Sequence, residues 1–400
     1  MTHLNVVLST HVNEIPGIAY YWTEFLKRST NILLVVKHPL HEWLINHPIH
    51  DIDDGAVLYV HQESIFTKRF PKIRMPYLIA KARDALFSLY YTIKAARQSK
   101  CMFDIFIGID CLNAFAGIVL RKLGITKRVI FYPVEYATNR FDDRLKNLAY
   151  QKLVQYATRH SDLVWNVSSR IARYSNQFTV SGNKNLIVPH GYNPPPLEPK
   201  IDFSLNPKHK KLVYVGGLGP EVGLPLVLKS LPEIIKRVPD VRLYVIGHGS
   251  KEHLNALERL TRLHKLEQHV HYLGVLPNEK VLDFLRQCDV GIATISPMPS
   301  WARFADMSMK VKEYLACGLP VVTTDVVGQG EVIRKNQAGV TIDFTVKEMV
   351  EATVRLLTDK TFYKKCQANT RSLVTEFTWK RITQNSWNKT LDLLKAKARD

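Results

Sequence analysis

The feature that most constrains the fold is an alternation of short apolar strands with polar or amphipathic helical stretches, which runs through the chain twice. The first series contains LNVVLS, NILLVVK, AVLYV, FDIFIGI, KRVIFY, DLVWNV and NLIVP, and the second contains KLVYVGG, VRLYVIGHG, HVHYLG, VGIATI and PVVTTD. Parallel strands need long crossover connections that usually hold a helix. The pattern therefore predicts an α/β protein with two doubly wound parallel sheets.

A proline-punctuated segment, PPPLEPKIDFSLNPKHK, separates the two series. A chain of 400 residues is also too long for one ordinary core. We predict an amino-terminal Rossmann-like domain over residues 1–193, a linker over 194–210, a second Rossmann-like domain over 211–376, and a terminal helix over 377–400 that returns to the first domain. Two such domains would face each other across an interdomain cleft.

Composition narrows the class of protein. Apolar residues make up 46% of the chain and charged residues 23%, as in folded proteins. The five cysteines lack the paired spacings of a metal site or a disulfide framework, so we expect reduced thiols and no metal. Neither a secretory leader nor an apolar run of bilayer length is evident, which favours a cytoplasmic protein.

The formal net charge of +19 favours partners that carry phosphates. Nucleotide diphosphates, anionic lipids and nucleic acids all meet that description. No helix-turn-helix, zinc-finger or RNA-recognition signature accompanies the charge, so we expect no nucleic-acid partner.

The segment SMKVKEYLACGLPVVTTD, from Ser308 to Asp325, carries the strongest candidate site. Ser308 can begin a short helix and Gly318 can end it. Free N–H groups at Ser308 and Met309, together with the helix dipole, would bind a diphosphate. Lys310 would add a positive charge, and the carboxylate of Glu313 could accept two hydroxyl protons from a ribose. A solvated lysine and glutamate on a surface helix is the alternative interpretation.

This segment resembles the retaining nucleotide-sugar transferases of glycosyltransferase family four, whose fold is the two-domain GT-B architecture. KLVYVGGLGPEVGLPLVLKSL resembles the family's first strand, phosphate loop and helix, and VRLYVIGHG resembles the next strand and glycine turn. The resemblance continues through HVHYLGVLPNEKVLDFLRQCDVGIATIS, DLVWNVSSRIARYS, IVPHGYN and EFTWKRITQNSWNKTL, and so covers nearly the whole chain. It implies a nucleotide-diphosphate sugar as co-substrate, no cofactor, no metal, and retention of anomeric configuration.

The resemblance also implies roles for single residues. Glu313 matches the family glutamate that holds the ribose, Val275 and Leu276 match the edge that recognises the base, and the glycines at 216–219 match the phosphate loop. With our own candidates added, the predicted nucleotide-sugar-binding residues are Gly17, Gly216, Gly217, Gly247, His248, Val275, Leu276, Arg303, Ser308, Met309, Lys310 and Glu313.

The chain departs from the family pattern at three positions. Ala305 replaces the first glutamate of the family pair, with Asp306 beside it, while Gly217 and Val222 replace two cations of the phosphate loop. An uncompensated diphosphate in a low-dielectric site is costly, so other cations must balance it. We nominate Lys310 and Arg303, with Lys310 also acting in catalysis.

The first domain offers further candidates after its strands. Gly17 precedes the first helix, where backbone could approach the donor phosphates, although a simple turn glycine fits as well. Glu135, after RVIFY, could stabilise positive charge at the anomeric carbon, or could simply pair with a nearby arginine. The same sequence leaves the roles of Asp110 and His11 open between acceptor binding and structure.

A basic stretch with aromatic residues begins at Thr67 and continues into a segment with helical periodicity as far as Lys100. Through Lys68, Arg69, Lys72 and Arg74 it could contact an anionic membrane on the inner face of the plasma membrane, near a saccharide or lipid-linked acceptor. An ordinary helix with a solvated basic face is the competing interpretation.

These observations predict a glycosyltransferase that uses a UDP- or GDP-sugar in polysaccharide, glycolipid or glycoconjugate synthesis. Two rivals share the fold: a sugar-nucleotide epimerase, and a catalytically silent binding or scaffold protein.

Overall fold

The computed structural model describes residues 4–12, 17–39, 49–53, 77–137, 139–179, 184–194, 201, 203–219, 221–297 and 306–396. The chain divides into two compact units. The first unit comprises Met1–His190 together with Trp379–Asp400, and the second comprises Gly191–Thr378. Within the described ranges, no helix has both the length and the apolar character needed to cross a bilayer.

The first unit alternates strands and helices, as the sequence predicts. In chain order its elements are β1 (Asn5–Val12), α1 (Ile18–Lys27), β2 (Ile32–Pro39), β3 (Ile49–Asp53), α2 (Tyr77–Ser99), β4 (Phe103–Ile109), α3 (Cys111–Lys122), β5 (Thr126–Tyr132), α4 (Arg144–His160), β6 (Leu163–Asn166), α5 (Ser169–Asn176) and β7 (Asn185–Ile187).

The first sheet has the strand order β3-β2-β1-β4-β5-β6-β7. All pairings are parallel except that of β3, which pairs antiparallel with β2 at the edge. The predicted doubly wound parallel sheet is confirmed, with one unpredicted antiparallel edge strand, β3. Its sequence, IHDID, is too polar to stand out as a buried strand, which is why the sequence missed it. The predicted strand AVLYV lies outside the described residues.

Burial explains why the remaining strands of the first sheet read as apolar runs. In β4 only Asp104 is not fully buried, and all four residues of β6 are buried. Strands with helices on both faces have no solvent side, so they lose the alternation of apolar and polar residues. Such apolar runs are visible in the sequence, and six of the seven strands of this sheet coincide with a predicted run.

The last helix of the chain, α13 (Trp379–Ala396), completes the first unit, although the second unit precedes it in sequence. Trp379 stacks on Tyr21 of α1 with ring centroids 4.7 Å apart. The indole Nε1 of Trp165 donates to the Thr390 hydroxyl at 2.9 Å. Because Trp379, Trp165 and Thr390 are buried, α13 is part of the core of the first unit.

The second unit repeats the alternation. Its elements are β8 (Lys210–Val215), α6 (Leu224–Arg237), β9 (Val241–Ile246), α7 (Lys251–Leu263), β10 (Val270–Gly274), α8 (Asn278–Leu285), β11 (Val290–Ala293), α9 (Met309–Ala316), β12 (Val321–Thr324), α10 (Gly328–Asn336), β13 (Gly339–Ile342), α11 (Val346–Thr358) and α12 (Lys360–Glu376). The strands form one sheet in the order β10-β9-β8-β11-β12-β13, and their pairings are parallel.

Strand β8 shows how this sheet organises the second unit. Leu212 and Tyr214 belong to one apolar core, and Val213 between them belongs to the other. Successive side chains of a strand point to opposite faces, so a central strand contributes to both cores. The direction of the strand order reverses at β8, which lies between β9 and β11. Doubly wound sheets bind ligands at such a point, beyond the carboxyl ends of the strands.

The described part of the predicted linker packs against the second unit. The N–H of Phe203 donates to the Gln287 side chain at 3.3 Å, and the Phe203 ring contacts Phe284 edge to face, with centroids 5.1 Å apart. The N–H of Ile201 donates to Asp283 at 3.2 Å. Ile201 and Phe203 are therefore fastened to α8 and to Gln287 just after it.

Candidate functional site

The loop after β8, here called the glycine loop (216–219), lies against the turn after β9 at the carboxyl edge of the second sheet. The N–H of Gly216 donates to the Ile246 carbonyl at 2.9 Å, and the N–H of Leu218 donates to the His248 carbonyl at 2.9 Å. Gly216 and Gly247 have φ of 135° and 145°, and a Cβ on Gly247 would overlap the Gly216 carbonyl oxygen. Both positions therefore require glycine.

Lys310, on the first turn of α9, reaches over this loop. Its Nζ is 3.0 Å from where a Cβ on Gly216 would stand. It donates to the Tyr214 hydroxyl at 3.0 Å and is 4.2 Å from the centroid of that ring. The structure thus brings together two of the predicted site residues, Gly216 and Lys310, which are 94 positions apart in the sequence.

Burial lowers the pKa of Lys310 to about 8, and the charges of Glu221 and Glu313 only partly oppose this effect. None of the described carboxylates forms an ion pair with its ammonium group. A desolvated cation without an anionic partner is unfavourable, so an anionic ligand placed here would gain a strong electrostatic interaction.

The amino end of α9 is held differently from our prediction. Ser308 is the N-cap residue, but its side chain makes no capping hydrogen bond. Instead its N–H and its hydroxyl both donate to the Gln329 side-chain oxygen, at 3.2 and 2.9 Å. The prediction of a free N–H at Ser308 is therefore wrong. The N–H groups of Met309 and Lys310 have no acceptor among the described residues, as expected for the first turn of a helix.

Gln329 is a site residue that the sequence analysis missed. Its side chain is fully buried, and its amide nitrogen donates to the Ala293 carbonyl at 2.9 Å and to the Thr323 hydroxyl at 2.8 Å. It thereby connects β11, β12 and the beginning of α9. The flanking glycines in VVGQGE, directly after a strand, were the available signal.

Glu313, one turn after Lys310, is half-buried. Burial raises its pKa, and the nearby charge of Lys310 opposes the rise. Its carboxylate accepts no hydrogen bond from the rest of the described chain. Gly318 has φ of 75° and ends α9, as predicted. Lys312, by contrast, is fully buried and pairs with Asp306 at 3.7 Å, so these two charges serve the core.

The remaining predicted residues of the second unit lie at the same edge of the sheet. Val275 follows β10 and is 68% exposed, while Leu276 is partly buried against the core. The His248 side chain is exposed, and the Gly217 carbonyl accepts a hydrogen bond from the Tyr214 hydroxyl at 2.7 Å. Arg303 and Ala305 lie outside the described residues.

In the first unit, Glu135 follows β5, and its side chain is 73% exposed. Its carboxylate is 3.6 Å from the Arg140 guanidinium, which is the pairing that we kept as the alternative to a catalytic role. Gly17 precedes α1 with φ of −135° and ψ of −159°, an extended conformation open to any residue. This geometry gives no reason for glycine at position 17. Lys68, Arg69, Lys72 and Arg74 lie outside the described residues.

His11 and Asp110 belong to a buried charged cluster at the carboxyl edge of the first sheet. The two ring nitrogens of His11 contact carboxylates on both sides, Asp110 at 2.6 Å and Asp84 at 3.1 Å. Burial alone would lower the pKa of His11, but the two carboxylates raise it above its ordinary value. The carboxylates on both sides therefore favour the protonated form of His11.

Asp110 has φ of 81°, which is unusual for a residue with a side chain. It begins α3, and one of its oxygens accepts from the N–H groups of Leu112 and Asn113 at 2.8 and 3.0 Å. The other oxygen accepts from His11 and from the Asn113 side chain, at 2.6 and 3.2 Å. The sequence left its role open, and the structure shows Asp110 as a helix cap with all four lone-pair positions in use.

Comparison with known proteins identifies the fold and a family that part of the chain resembles. Residues 209–359 match the sequence model of the family described as Glycosyl transferases group 1. The solved structure of Anabaena Alr3699/HepE in complex with UDP superimposes with a TM-score of 0.65 at 13% identity, over 97% of this chain and all of that one. This likeness establishes the GT-B fold.

Two curated relatives share segments of the chain. One is the GPI3 subunit of the phosphatidylinositol N-acetylglucosaminyltransferase of Saccharomyces cerevisiae, 29% identical over 143 residues, which are 36% of this chain and 29% of the relative. The other is a phosphatidyl-myo-inositol mannosyltransferase of Mycobacterium tuberculosis, 26% identical over 131 residues, 32% of each chain. The chain thus spans about a third of the length of these relatives. The chain therefore has the GT-B fold, and its residues 209–359 are similar to the group 1 glycosyltransferases.

Proposed function

We propose that this chain is a retaining, metal-independent glycosyltransferase that moves a sugar from a UDP- or GDP-sugar to an acceptor in polysaccharide, glycolipid or glycoconjugate synthesis. The single observation that carries the proposal is the position of Lys310, whose ammonium stands over the glycine loop after β8 without an ion pair to any described carboxylate. Gly217 and Val222 lack the cations of the family's phosphate loop, and Lys310 supplies a positive charge in their place.

The donor diphosphate binds between this ammonium and the amino end of α9. The N–H groups of Met309 and Lys310 and the helix dipole favour negative charge there. Glu313 stands one turn further along the helix, where its carboxylate accepts hydrogen bonds from the ribose hydroxyls. Gly247 and His248 line the donor, and the exposed backbone at Val275 and Leu276 recognises the base.

During transfer, the bond between the anomeric carbon and the diphosphate breaks, and the acceptor hydroxyl attacks from the face that the diphosphate leaves. Lys310 and the helix N–H groups stabilise the charge that develops on the diphosphate. In the first unit, Glu135 orients a sugar hydroxyl or stabilises positive charge at the anomeric carbon. The protein contributes orientation and electrostatic stabilisation, with no cofactor.

The names of the similar proteins guide the choice of substrates. The HepE structure holds UDP, which supports a uridine donor, and both curated relatives act on phosphatidylinositol according to their names. A lipid-linked acceptor is therefore the first to test here.

A lipid-linked acceptor would place the protein in the cytoplasm with a peripheral contact to the inner face of the plasma membrane. Beyond the basic residues Lys68, Arg69, Lys72 and Arg74, helix α2 exposes Leu86 and Tyr90 one turn apart, at 64% and 56%. Apolar side chains beside basic ones suit the interface of an anionic bilayer. Neutralising the four basic residues should reduce cosedimentation with phosphatidylserine vesicles, whereas neutralising Lys335, Lys347, Lys364 and Lys365 should not.

Nucleotide binding tests the donor site directly. By calorimetry with UDP and GDP, Glu313→Ala should weaken binding at least tenfold, because hydrogen bonds to a charged group contribute about 1.5–3 kcal/mol each. Glu233→Ala, which removes an exposed carboxylate paired with Lys236, is the matched control and should bind as the wild type does. Equal affinity in Glu313→Ala and wild type would remove the site assignment.

Turnover separates the three candidate functions. A transferase releases nucleotide from the correct donor faster when an acceptor is present, whereas an epimerase converts the donor without an acceptor. A silent scaffold shows neither reaction. Sugar analysis of the product by NMR then reads the anomeric configuration, and inversion would refute the retaining mechanism.

A further inference from the structure

Tyr214 connects the two parts of the donor site. Its side chain is fully buried in the second unit, yet its hydroxyl reaches the carboxyl edge of the sheet. The hydroxyl donates to the Gly217 carbonyl at 2.7 Å and accepts from the Lys310 ammonium at 3.0 Å. One hydroxyl therefore contacts both the glycine loop and α9.

The ring of Tyr214 also contacts the cation. The Lys310 Nζ is 4.2 Å from the ring centroid, well inside the distance at which a cation is attracted to an aromatic face. Because the core fixes the Tyr214 ring, the Lys310 ammonium contacts both the aromatic face and the hydroxyl oxygen of this side chain. A lysine has four rotatable bonds, and these contacts remove most of the freedom that would otherwise be lost when a ligand binds.

The glycine loop leaves room for this arrangement. A Cβ on Gly216 would come within 3.0 Å of the Lys310 Nζ and 3.7 Å of the Tyr214 hydroxyl. Glycine at 216 thus allows the ammonium to lie directly over the backbone of the loop.

We propose that Tyr214 is a positioning residue for the donor diphosphate, because its hydroxyl holds the Lys310 ammonium over the glycine loop before the donor arrives. This inference rests on the proposed function. Tyr214 itself does not touch the diphosphate; it acts through Lys310.

The hydroxyl also stabilises the charged form of Lys310, whose pKa burial lowers to about 8. A hydrogen-bond acceptor beside an ammonium favours its protonated state. Two carboxylates also act on Lys310: Glu221, just after the glycine loop, and Glu313 on α9. The charge of each raises the pKa of Lys310. Removing the hydroxyl should lower the pKa of Lys310 further.

The test compares Tyr214→Phe with Tyr314→Phe. Tyr314 is a second fully buried tyrosine of the same unit, and its hydroxyl accepts from the Val215 N–H at 2.8 Å and donates to the Ile292 carbonyl at 3.2 Å. Its hydroxyl forms neither of these bonds with Lys310. Both variants keep the ring and lose two hydrogen bonds, so they differ in whether the lost hydroxyl positions the cation.

We expect Tyr214→Phe to weaken UDP binding about tenfold, the scale of one hydrogen bond to a charged group, and to shift the alkaline loss of UDP affinity to lower pH. Tyr314→Phe should lower the melting temperature and leave UDP affinity and its pH profile as in the wild type. If Tyr214→Phe binds UDP like the wild type, or if both variants weaken UDP equally, the inference is overturned.

A second measurement needs no nucleotide. The pKa of Lys310 can be read in the free protein by NMR of reductively ¹³C-methylated lysines, with Lys310→Met to assign the signal. Tyr214→Phe should lower that pKa and Tyr314→Phe should not, and an unchanged value in Tyr214→Phe overturns the inference. If the pKa falls as expected but wild-type protein binds no nucleotide, the proposed function fails while the contact between Tyr214 and Lys310 stands.

Discussion

Each of the two sheets ends in charged residues at its carboxyl edge, but the charges are arranged differently. In the first unit, His11 contacts a carboxylate through each ring nitrogen, and both oxygens of Asp110 accept hydrogen bonds from neighbouring groups. In the second unit, Lys310 and Glu313 form no ion pair with any described residue. The first cluster has satisfied its own polar groups, whereas the second retains binding capacity for a ligand.

The difference shows what separates a structural cluster from a candidate binding site. Burial by itself does not, because both clusters are desolvated and both contain groups with shifted pKa values. A structural cluster differs from a candidate binding site in whether the protein itself supplies the counter-charge for each buried charged group. Shifted pKa values occur in structural ion networks as well as at functional sites, so they need this second criterion.

The largest expected effect is on the cluster of the first unit. Asp84→Ala should lower the free energy of unfolding by about 3–5 kcal/mol, because it removes one partner of a buried charge pair and leaves His11 and Arg83 without it. Five of the six tryptophans lie in the sequence ranges of the first unit, and Trp301 lies in that of the second. Urea denaturation in a Trp301→Phe background, followed by tryptophan fluorescence, therefore reports on the first unit.

Glu24→Ala is the control for Asp84→Ala. Glu24 pairs with Lys27 on the surface of α1 at 3.2 Å, and such pairs contribute about 0–1 kcal/mol. If the two variants lose similar stability, the cluster is not the structural element described here.

A smaller effect should appear in the pH dependence of the first unit. Asp84 has a pKa of about 2, so its contribution is complete above the ordinary carboxyl pKa of 3.8 and is lost as the pH falls towards 2. The pKa of His11 is raised, so its contribution is complete below its ordinary value of 6.5 and is lost as the pH rises through the raised value. The first unit should therefore be most stable between these limits.

His11→Gln sharpens this prediction. The variant cannot hold a positive charge, so its stability should be lower near pH 6 and should no longer fall with rising pH for this reason. Melting temperatures from pH 4 to 9, read by tryptophan fluorescence, measure the two profiles. Parallel profiles for wild type and variant would show that His11 is not the titrating group.

The smallest effect on stability is expected in the second unit. Lys310→Met should change the free energy of unfolding by less than about 0.5 kcal/mol, because the lysine has no ion pair with a carboxylate in the described part of the chain and the apolar stem is kept. UDP binding should nevertheless weaken strongly. Circular dichroism melting and calorimetry measure the two quantities on the same sample, and a loss of stability as large as that of Asp84→Ala would remove the contrast between the units.

Some of the candidate site could be predicted from sequence because it depends on local chemistry. Gly216 and Gly247 follow strands and adopt positive φ, a conformation that favours glycine, and Gly318 ends α9 for the same reason. Lys310 and Glu313 lie one turn apart on α9, whose N-cap residue is Ser308. Their positions on neighbouring turns near the start of the helix therefore follow from helical spacing.

Other parts required contacts between distant residues. The free N–H predicted at Ser308 is occupied by Gln329, which is 21 positions away. Strand β13, with the sequence GVTI, is short and only partly buried, so it lacked the apolar run that marks its neighbours. Tyr214 looked like an ordinary core residue of β8, and only its hydroxyl contacts show otherwise.

By itself the sequence determined that this chain folds into two α/β units, because apolar runs, helical periodicity and glycines after strands act over a few residues and are legible in one dimension. The tertiary structure decided which charges are satisfied. It paired His11 with Asp84 and Asp110, and it gave Lys310 no ion pair with a carboxylate of the described ranges. Ion pairing depends on distances of a few ångströms between side chains, which in the first unit are 73 to 99 positions apart in sequence. No local pattern encodes that distance.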